Sequence, residues 1–174
     1  CMAGSWDNAL KIVNTTTGAV ELSIASGQDV VTCVCVSEDD SLVVTGSQDN
    51  SVVVYTLDYS SGAPHLVSKK TLFGHDGAVT CVAVNKKMGL MCSGSEDGTI
   101  IVYSLSSTMY LRTIFDPDFD KKLSAMPAVS WCDVTNEGNI VWYSKTDFKF
   151  HMYSLLGEKL GEKEMNSQLN SICL

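Results

Sequence analysis

Short apolar runs recur along the chain, and each follows a similar cluster of turn residues. The clusters are Gly4-Ser5-Trp6-Asp7, Gly46-Ser47-Gln48-Asp49, Gly94-Ser95-Glu96-Asp97 and the more divergent Ser144-Lys145-Thr146-Asp147. Their aspartates lie 42, 48 and 50 residues apart. A period in this range indicates one supersecondary unit repeated along the chain.

A second set of apolar runs keeps the same register. These runs begin at Val31, Val79, Val129 and Leu169, and successive starts are 48, 50 and 40 residues apart. The runs are rich in β-branched residues and have no helical period, so they favour strands. The sequence therefore predicts an all-β fold, a β-propeller made of four-stranded antiparallel blades.

The whole chain, 1–174, is predicted to be part of one propeller domain with about four blades' worth of strands. The predicted units are 1–25 (a partial blade), 26–73, 74–114, 128–165 and 168–174 (the first strand of a next blade). Two arrangements are compatible with this count: an arc of a larger ring, which we favour, or a closed ring of four blades. The start at Cys1 rather than Met suggests a longer parent chain with upstream domains.

Composition limits the classes of partner. The net charge is -8, and Arg112 is the single arginine among 174 residues. Nucleic acid is an unfavourable partner, because phosphate and base contacts rely on clustered basic residues. No apolar stretch approaches the roughly 18 residues that a membrane-spanning helix needs, so direct membrane insertion is not expected. The 7 cysteines are odd in number and lie mostly in apolar runs, which predicts buried thiols rather than a disulfide framework or a metal site.

Catalytic patterns are weak in this sequence. His75, beside Asp76 and near Ser93, could be interpreted as a triad, but a structural role accounts for the same residues. The aspartates from Asp116 to Asp120 have the spacing of a calcium loop, but Lys121 stands where the loop needs glycine. We therefore expect no enzyme activity, no catalytic residues, no cofactor and no metal site.

The repeats resemble the WD-repeat family. Gly74-His75 matches the family's opening Gly-His, whereas the closing Trp-Asp is replaced, for example by Tyr103-Ser104. The resemblance implies a buried hydrogen-bond network within each blade. In the third unit it would comprise His75, Ser93, Asp97 and Tyr103. In the second unit it would comprise Thr45, Asp49 and Tyr55, with Gly27 in place of the histidine. In the fourth unit Asp147 and Tyr153 remain, with Tyr143 at the Ser/Thr position.

A closer resemblance is to the C-terminal propeller of BEACH-domain (neurobeachin-like) proteins. It rests on Ser5-Trp6-Asp7-Asn8 through Thr17-Gly18, Val30-Val31-Thr32-Cys33, Thr135-Asn136-Glu137-Gly138-Asn139-Ile140-Val141 and Tyr153-Ser154-Leu155-Leu156-Gly157-Glu158-Lys159-Leu160. This implies a non-enzymatic protein-interaction scaffold in intracellular membrane and vesicle trafficking. The expected location is cytoplasmic, peripheral on endomembranes through partners or other domains. The alternative is a generic WD-repeat adaptor or complex scaffold outside the BEACH family.

The partners expected from the resemblance are other proteins, bound through loops at the propeller rim. The longest irregular stretch, 115–127, joins an outer strand to the next inner strand and by resemblance lies on that rim. The candidate partner-binding residues are Asp116, Asp118, Phe119, Asp120, Lys121 and Lys122. A solvated variable loop is the alternative interpretation of this stretch.

Overall fold

A computed structural model of the protein describes residues 1–116, 127–167 and 169. The described residues form fifteen β-strands in four antiparallel sheets. None of the described segments forms a helix capable of spanning a bilayer. The prediction of an all-β, blade-like fold is thus confirmed.

The four sheets follow one another along the chain, and within each sheet consecutive strands are hydrogen-bonded neighbours. The first sheet has three strands, β1 (Met2–Gly4), β2 (Ala9–Val13) and β3 (Val20–Ala25). The second has β4 (Val31–Val36), β5 (Leu42–Ser47), β6 (Val52–Asp58) and β7 (His65–Leu72). The third has β8 (Val79–Asn85), β9 (Leu90–Ser95), β10 (Ile100–Ser104) and β11 (Tyr110–Ile114). The fourth has β12 (Val129–Val134), β13 (Ile140–Ser144), β14 (Lys149–Tyr153) and β15 (Lys159–Glu164).

The hydrophobic core lies between successive sheets rather than at one centre. Leu10 of the first sheet packs with Val43 and Tyr55 of the second. Val54 of the second sheet packs with Ile101 and other residues of the third. A third cluster joins the third and fourth sheets. The second and third sheets contribute to a core cluster on both faces, and β8 packs against both β4 and β12. Such face-to-face stacking is the arrangement of propeller blades.

The glycine of the repeated turn cluster is required by this stacking. A Cβ at Gly94 would lie 2.5 Å from Val129 Cγ1, and Gly46 meets Val79 in the same way. Even one added carbon would therefore push neighbouring sheets apart. In the fourth sheet Tyr143 stands at the corresponding place, and its hydroxyl oxygen accepts a hydrogen bond of 3.1 Å from the Leu169 amide.

The marker aspartates have one local role in all four turns. Asp7, Asp49, Asp97 and Asp147 each accept a hydrogen bond on Oδ1 from the amide two residues later, at 2.8 to 3.3 Å. The residue between is left-handed each time, with φ between 57° and 80° at Asn8, Asn50, Gly98 and Phe148. Asn and Gly tolerate this conformation, which accounts for the Asp-Asn and Asp-Gly pairs in the sequence.

Candidate functional site

The third sheet contains the polar network that the WD resemblance predicted. Gly74-His75 follows β7, and this places the imidazole, which is buried, against β9. Its Nε2 lies 2.8 Å from Ser93 Oγ, and its Nδ1 lies 3.2 Å from both Asp97 Oδ2 and Thr99 Oγ1. Burial raises the pKa of Tyr103, and the Ser93 hydroxyl beside its phenol partly offsets this effect. The four residues named from the sequence therefore lie together.

Asp97 is the centre of this network. Its carboxylate accepts hydrogen bonds from the Asp76 amide at 2.8 Å and from the Thr99 amide and hydroxyl at 2.8 and 2.7 Å. Partial burial opposes ionisation, but the hydrogen bonds from His75, Thr99 and Asp76 outweigh it and hold the pKa of Asp97 well below its usual range. The arrangement stabilises an anion between three chain segments.

In the second sheet, two of the residues named from the sequence, Thr45 and Tyr55, belong to a hydrogen-bond network that differs from the one in the third sheet. Tyr55 donates a hydrogen bond to Ser26 Oγ at 2.8 Å, and Ser26 Oγ is also 2.8 Å from Thr45 Oγ1. Ser26 stands immediately before Gly27, the residue at the histidine position. Sequence reasoning missed Ser26, because it compared only the histidine position and not the residue before it.

Asp49 is separate from the Ser26 network. Its Oδ2 accepts a 2.6 Å hydrogen bond from the Gln28 amide, and its Oδ1 accepts one of 2.9 Å from the Ser51 amide. Gly27 contributes no side chain, so no imidazole reaches this carboxylate. Thr45 and Tyr55 are thus linked through Ser26, whereas Asp49 lies in its turn with backbone donors.

The fourth sheet uses a histidine from a strand. His151 of β14 is 2% exposed and stacks on Trp142, with ring centroids 5.1 Å apart. Its Nε2 lies 3.6 Å from Asp147 Oδ2, and its Nδ1 lies 3.4 Å from Asp116 Oδ2. His151 is therefore a packed interior residue of the fourth sheet.

Strand pairing corrects one assignment in the fourth sheet. In the second and third sheets, the hydroxyl residue of the second strand pairs with the residue two positions before the network tyrosine. In the fourth sheet that residue is His151, two positions before Tyr153, and it pairs with Trp142. The Ser/Thr position is therefore occupied by Trp142, not by Tyr143 as the sequence predicted. Four residues separate Trp142 from Asp147, whereas three separate Ser93 from Asp97, and this extra residue shifts the alignment by one.

Asp116 is the one candidate loop residue that lies within the described part of the chain. It follows β11, and its Oδ1 accepts a 3.3 Å hydrogen bond from the Tyr153 hydroxyl across the sheet interface. Lys159 Nζ is 3.5 Å from the same oxygen. The other predicted loop residues, Asp118, Phe119, Asp120, Lys121 and Lys122, lie outside the described residues, as does most of the predicted unit 168–174.

Among the residues that the structure describes, one group of side chains has donor atoms close enough for a metal ion. Atoms of Asp116, His151 and Glu162 lie within 4.8 Å of one another. Lys159 Nζ is 2.9 Å from Glu162 Oε2, so a lysine ammonium supplies positive charge at this place. The geometry is that of an ion-pair network with a buried histidine at its base.

The thiols are distributed as small core residues. Cys81, Cys92 and Cys132 are buried between the third and fourth sheets, and the described cysteines are free. Burial raises the pKa of Cys33 to about 12. Protonated, buried thiols are poor nucleophiles and poor metal ligands.

Comparison with known proteins shows which family this architecture belongs to. The family model described as the neurobeachin beta propeller domain matches residues 1–174. The BEACH domain-containing protein B of Arabidopsis thaliana is 30% identical over 187 residues, covering 97% of this chain. An uncharacterised WD repeat-containing protein of Schizosaccharomyces pombe is 36% identical over 72 residues, covering 41% of this chain. The chain spans 7% of the length of the Arabidopsis protein and 18% of the yeast protein. The stacked four-stranded sheets, the WD-type network at His75 and the match over the whole chain identify it as a member of the neurobeachin β-propeller family.

Proposed function

We propose that the chain is a non-enzymatic protein-interaction scaffold within a BEACH-type protein that acts in intracellular membrane and vesicle trafficking. The observation that carries the proposal is the family match over residues 1–174, joined by the similarity to a BEACH domain-containing protein over 97% of the chain. A propeller gives a rigid frame from which loops can contact other proteins. Its partners are other proteins, and it acts together with upstream domains of a longer parent chain.

The proposed contact surface is the connection after β11. This segment is acidic and then basic, with Phe119 between the charged residues. Asp116 anchors the start of the segment on the fourth sheet through Tyr153. A segment that begins at this contact and carries an aromatic residue and mixed charge suits a protein partner, since aromatic side chains with flanking polar groups dominate such contacts.

Loop replacement in the full-length protein tests the proposal. Residues 118–122 would be replaced by Gly-Ser, and the hairpin connection 59–63 between β6 and β7 would be replaced in the same way as the matched control. We expect the first replacement to remove a reproducible set of neighbours in quantitative proximity labelling and to misroute membrane cargo. The control should do neither. Equal labelling and unchanged cargo transport for both replacements would contradict the proposed surface.

The trafficking role is tested separately by removing the whole propeller. Cargo transport that is unchanged without the propeller would contradict that role. The non-enzymatic assignment is tested with simple esters and phosphoesters, for which we expect no turnover above background. Turnover that disappears in His75→Ala would overturn it, because His75 is the histidine that lies with Ser93 and Asp97.

The proposed location is cytoplasmic and peripheral on endomembranes, reached through partners or other domains. Fractionation of cells that express the full-length protein would test it. A membrane-bound pool that is released by high salt is expected, whereas a pool that only detergent releases would contradict a peripheral attachment.

A further inference from the structure

A cavity of about 450 Å³ opens in the second sheet on the side of its marker turn. Its lining comes from the end of β3, the turn between β5 and β6, the strand β6 and the outer strand β7. The Asp49 carboxylate is the one formal charge among the described residues that line it. Its size is within the range of about 300–1,000 Å³ that is typical of ligand sites.

Comparison with the third sheet explains why the cavity exists on the outer-strand side. Val53 lines it, and the corresponding residue in the third sheet is the larger Ile101. Ser68 lies opposite Tyr55, whereas Tyr110 lies opposite Tyr103. The outer strand therefore lacks an aromatic ring at this level of the second sheet.

The segment that connects the first sheet to the second also has smaller side chains than the segment that connects the second sheet to the third. The pairing of β2 with β3 and of β6 with β7 places Ala25 and Gly27 where the next connection has Phe73 and His75. Gly27 also has φ of 89°, and a Cβ there would lie 3.0 Å from Asp49 Oδ2. The cavity thus corresponds to the side chains that the second sheet lacks, and the imidazole is among them.

Because the second sheet has no imidazole here, the Ser51 hydroxyl lacks the kind of partner that its counterpart Thr99 has in the third sheet. The Thr99 hydroxyl bonds to Asp97 and also lies 3.2 Å from His75 Nδ1. Its counterpart Ser51 is 1% exposed and lines the cavity, and its hydroxyl makes no hydrogen bond to any described residue. A buried hydroxyl without a partner destabilises the folded state, so the second sheet leaves at this place a polar group that the third sheet satisfies.

Asp49 provides an anion at this site. Burial opposes its ionisation, but the nearby Ser51 hydroxyl and the amides of Gln28 and Ser51 outweigh burial and lower the pKa of Asp49. Each carboxylate oxygen accepts one backbone hydrogen bond, which leaves about two lone pairs for another donor.

We infer that this cavity binds the guanidinium group of an arginine side chain from a partner protein, an inference that rests on the proposed scaffold function. A guanidinium donates two parallel N–H bonds, which suits the free lone pairs of Asp49. It also stacks on aromatic rings, and the 74% exposed Phe73 lines the cavity. The net charge of -8 favours the approach of a basic partner.

The site can be tested with a small probe on the full chain. N-acetyl-arginine-N-methylamide would be titrated at constant ionic strength, and the amide NMR signals of Gln28 and Ser51 would be followed. The matched ligand is the corresponding citrulline derivative, which has nearly the same shape and no charge. We expect saturable shifts with the arginine probe and at least about tenfold weaker binding of the citrulline probe, the difference that one charge-assisted bond supplies. Absence of saturable shifts, or equal affinity for the two probes, would overturn the inference.

Two cavity variants and two controls locate the binding. Asp49→Asn removes the charge, and Ser68→Tyr fills the cavity with the ring that Tyr110 supplies in the third sheet. Asp7→Asn removes a charge from the equivalent turn of the first sheet, and Val67→Tyr adds the same ring at an exposed neighbouring position. Both cavity variants should weaken arginine binding at least about tenfold, with both controls unchanged.

Retention of binding in either cavity variant would overturn the inference, and so would an equal loss in the controls. Thermal melts of all four variants would show that each is folded. The outcome is independent of the loop replacement at 118–122: failure of the arginine probe would leave the proposed function standing, and failure of the loop replacement would leave the cavity result standing.

Discussion

The second and third sheets have the same strand order and the same left-handed marker turn, yet their marker aspartates accept hydrogen bonds from different groups. Asp97 receives an imidazole, two amides and a hydroxyl. Asp49 receives two amides, and the sheet's hydroxyl network runs through Ser26 instead. The backbone turn therefore does not depend on the histidine. The histidine links the turn to the strands, and its absence opens space for a ligand.

The largest difference between the two sheets should appear when each marker carboxylate is removed. Asp97→Ala should lower the free energy of unfolding by about 2 kcal/mol, because it leaves His75 and the Thr99 hydroxyl without their acceptor. Asp49→Ala should lower it by about 1 kcal/mol, since it removes two bonds to partly solvated amides. Urea unfolding of the chain measures both, and equal losses would contradict the distinction between the sheets.

Removing the substitute hydroxyl should have the next largest effect. Ser26→Ala leaves the buried Tyr55 and Thr45 hydroxyls without the group that joins them, and we expect a loss of about 1.5 kcal/mol. The double variant Ser26→Ala with Tyr55→Phe should lose less than the sum of the two single changes. Additive losses would show that Ser26 does not carry the network of the second sheet.

An equivalent hydrogen bond occurs in both sheets, and its removal should lower the free energy of unfolding equally in each. Thr32 Oγ1 donates to the Val79 carbonyl, and Thr80 Oγ1 donates to the Val129 carbonyl at 2.5 Å, so each threonine joins its sheet to the next. Thr32→Val and Thr80→Val should each lower the free energy of unfolding by about 1 kcal/mol. Losses that differ by more than about 1 kcal/mol would show that the interfaces are not equivalent.

Much of the fold could be predicted from the sequence, because two independent markers kept one register through the repeats. The network at His75 followed from a Gly-His and an Asp at the family spacing. Ser26 and His151 could not be found that way, since each reaches the network from a different backbone position than His75. Aligning the residue before each histidine position would have indicated Ser26. Trp142 was missed because an extra residue between Trp142 and Asp147 shifts the alignment, which only the strand register reveals.

The smallest effect expected is on acid stability. The folded-state pKa of Asp97 lies below its unfolded value, so its stabilisation is present above about pH 4, the ordinary value for aspartate, and is lost as pH falls below that. The difference in unfolding free energy between the wild type and Asp97→Asn should therefore shrink between pH 5 and pH 3. A difference that stays constant over this range would mean that the network does not favour the ionised carboxylate.

The most direct test of the account is a double-mutant cycle between His75 and Asp97. If the imidazole and the carboxylate form the link that distinguishes the third sheet from the second, His75→Ala and Asp97→Ala should be coupled by about 1 kcal/mol or more in urea unfolding. Effects that add to within about 0.3 kcal/mol would contradict it, because the two side chains would then contribute independently.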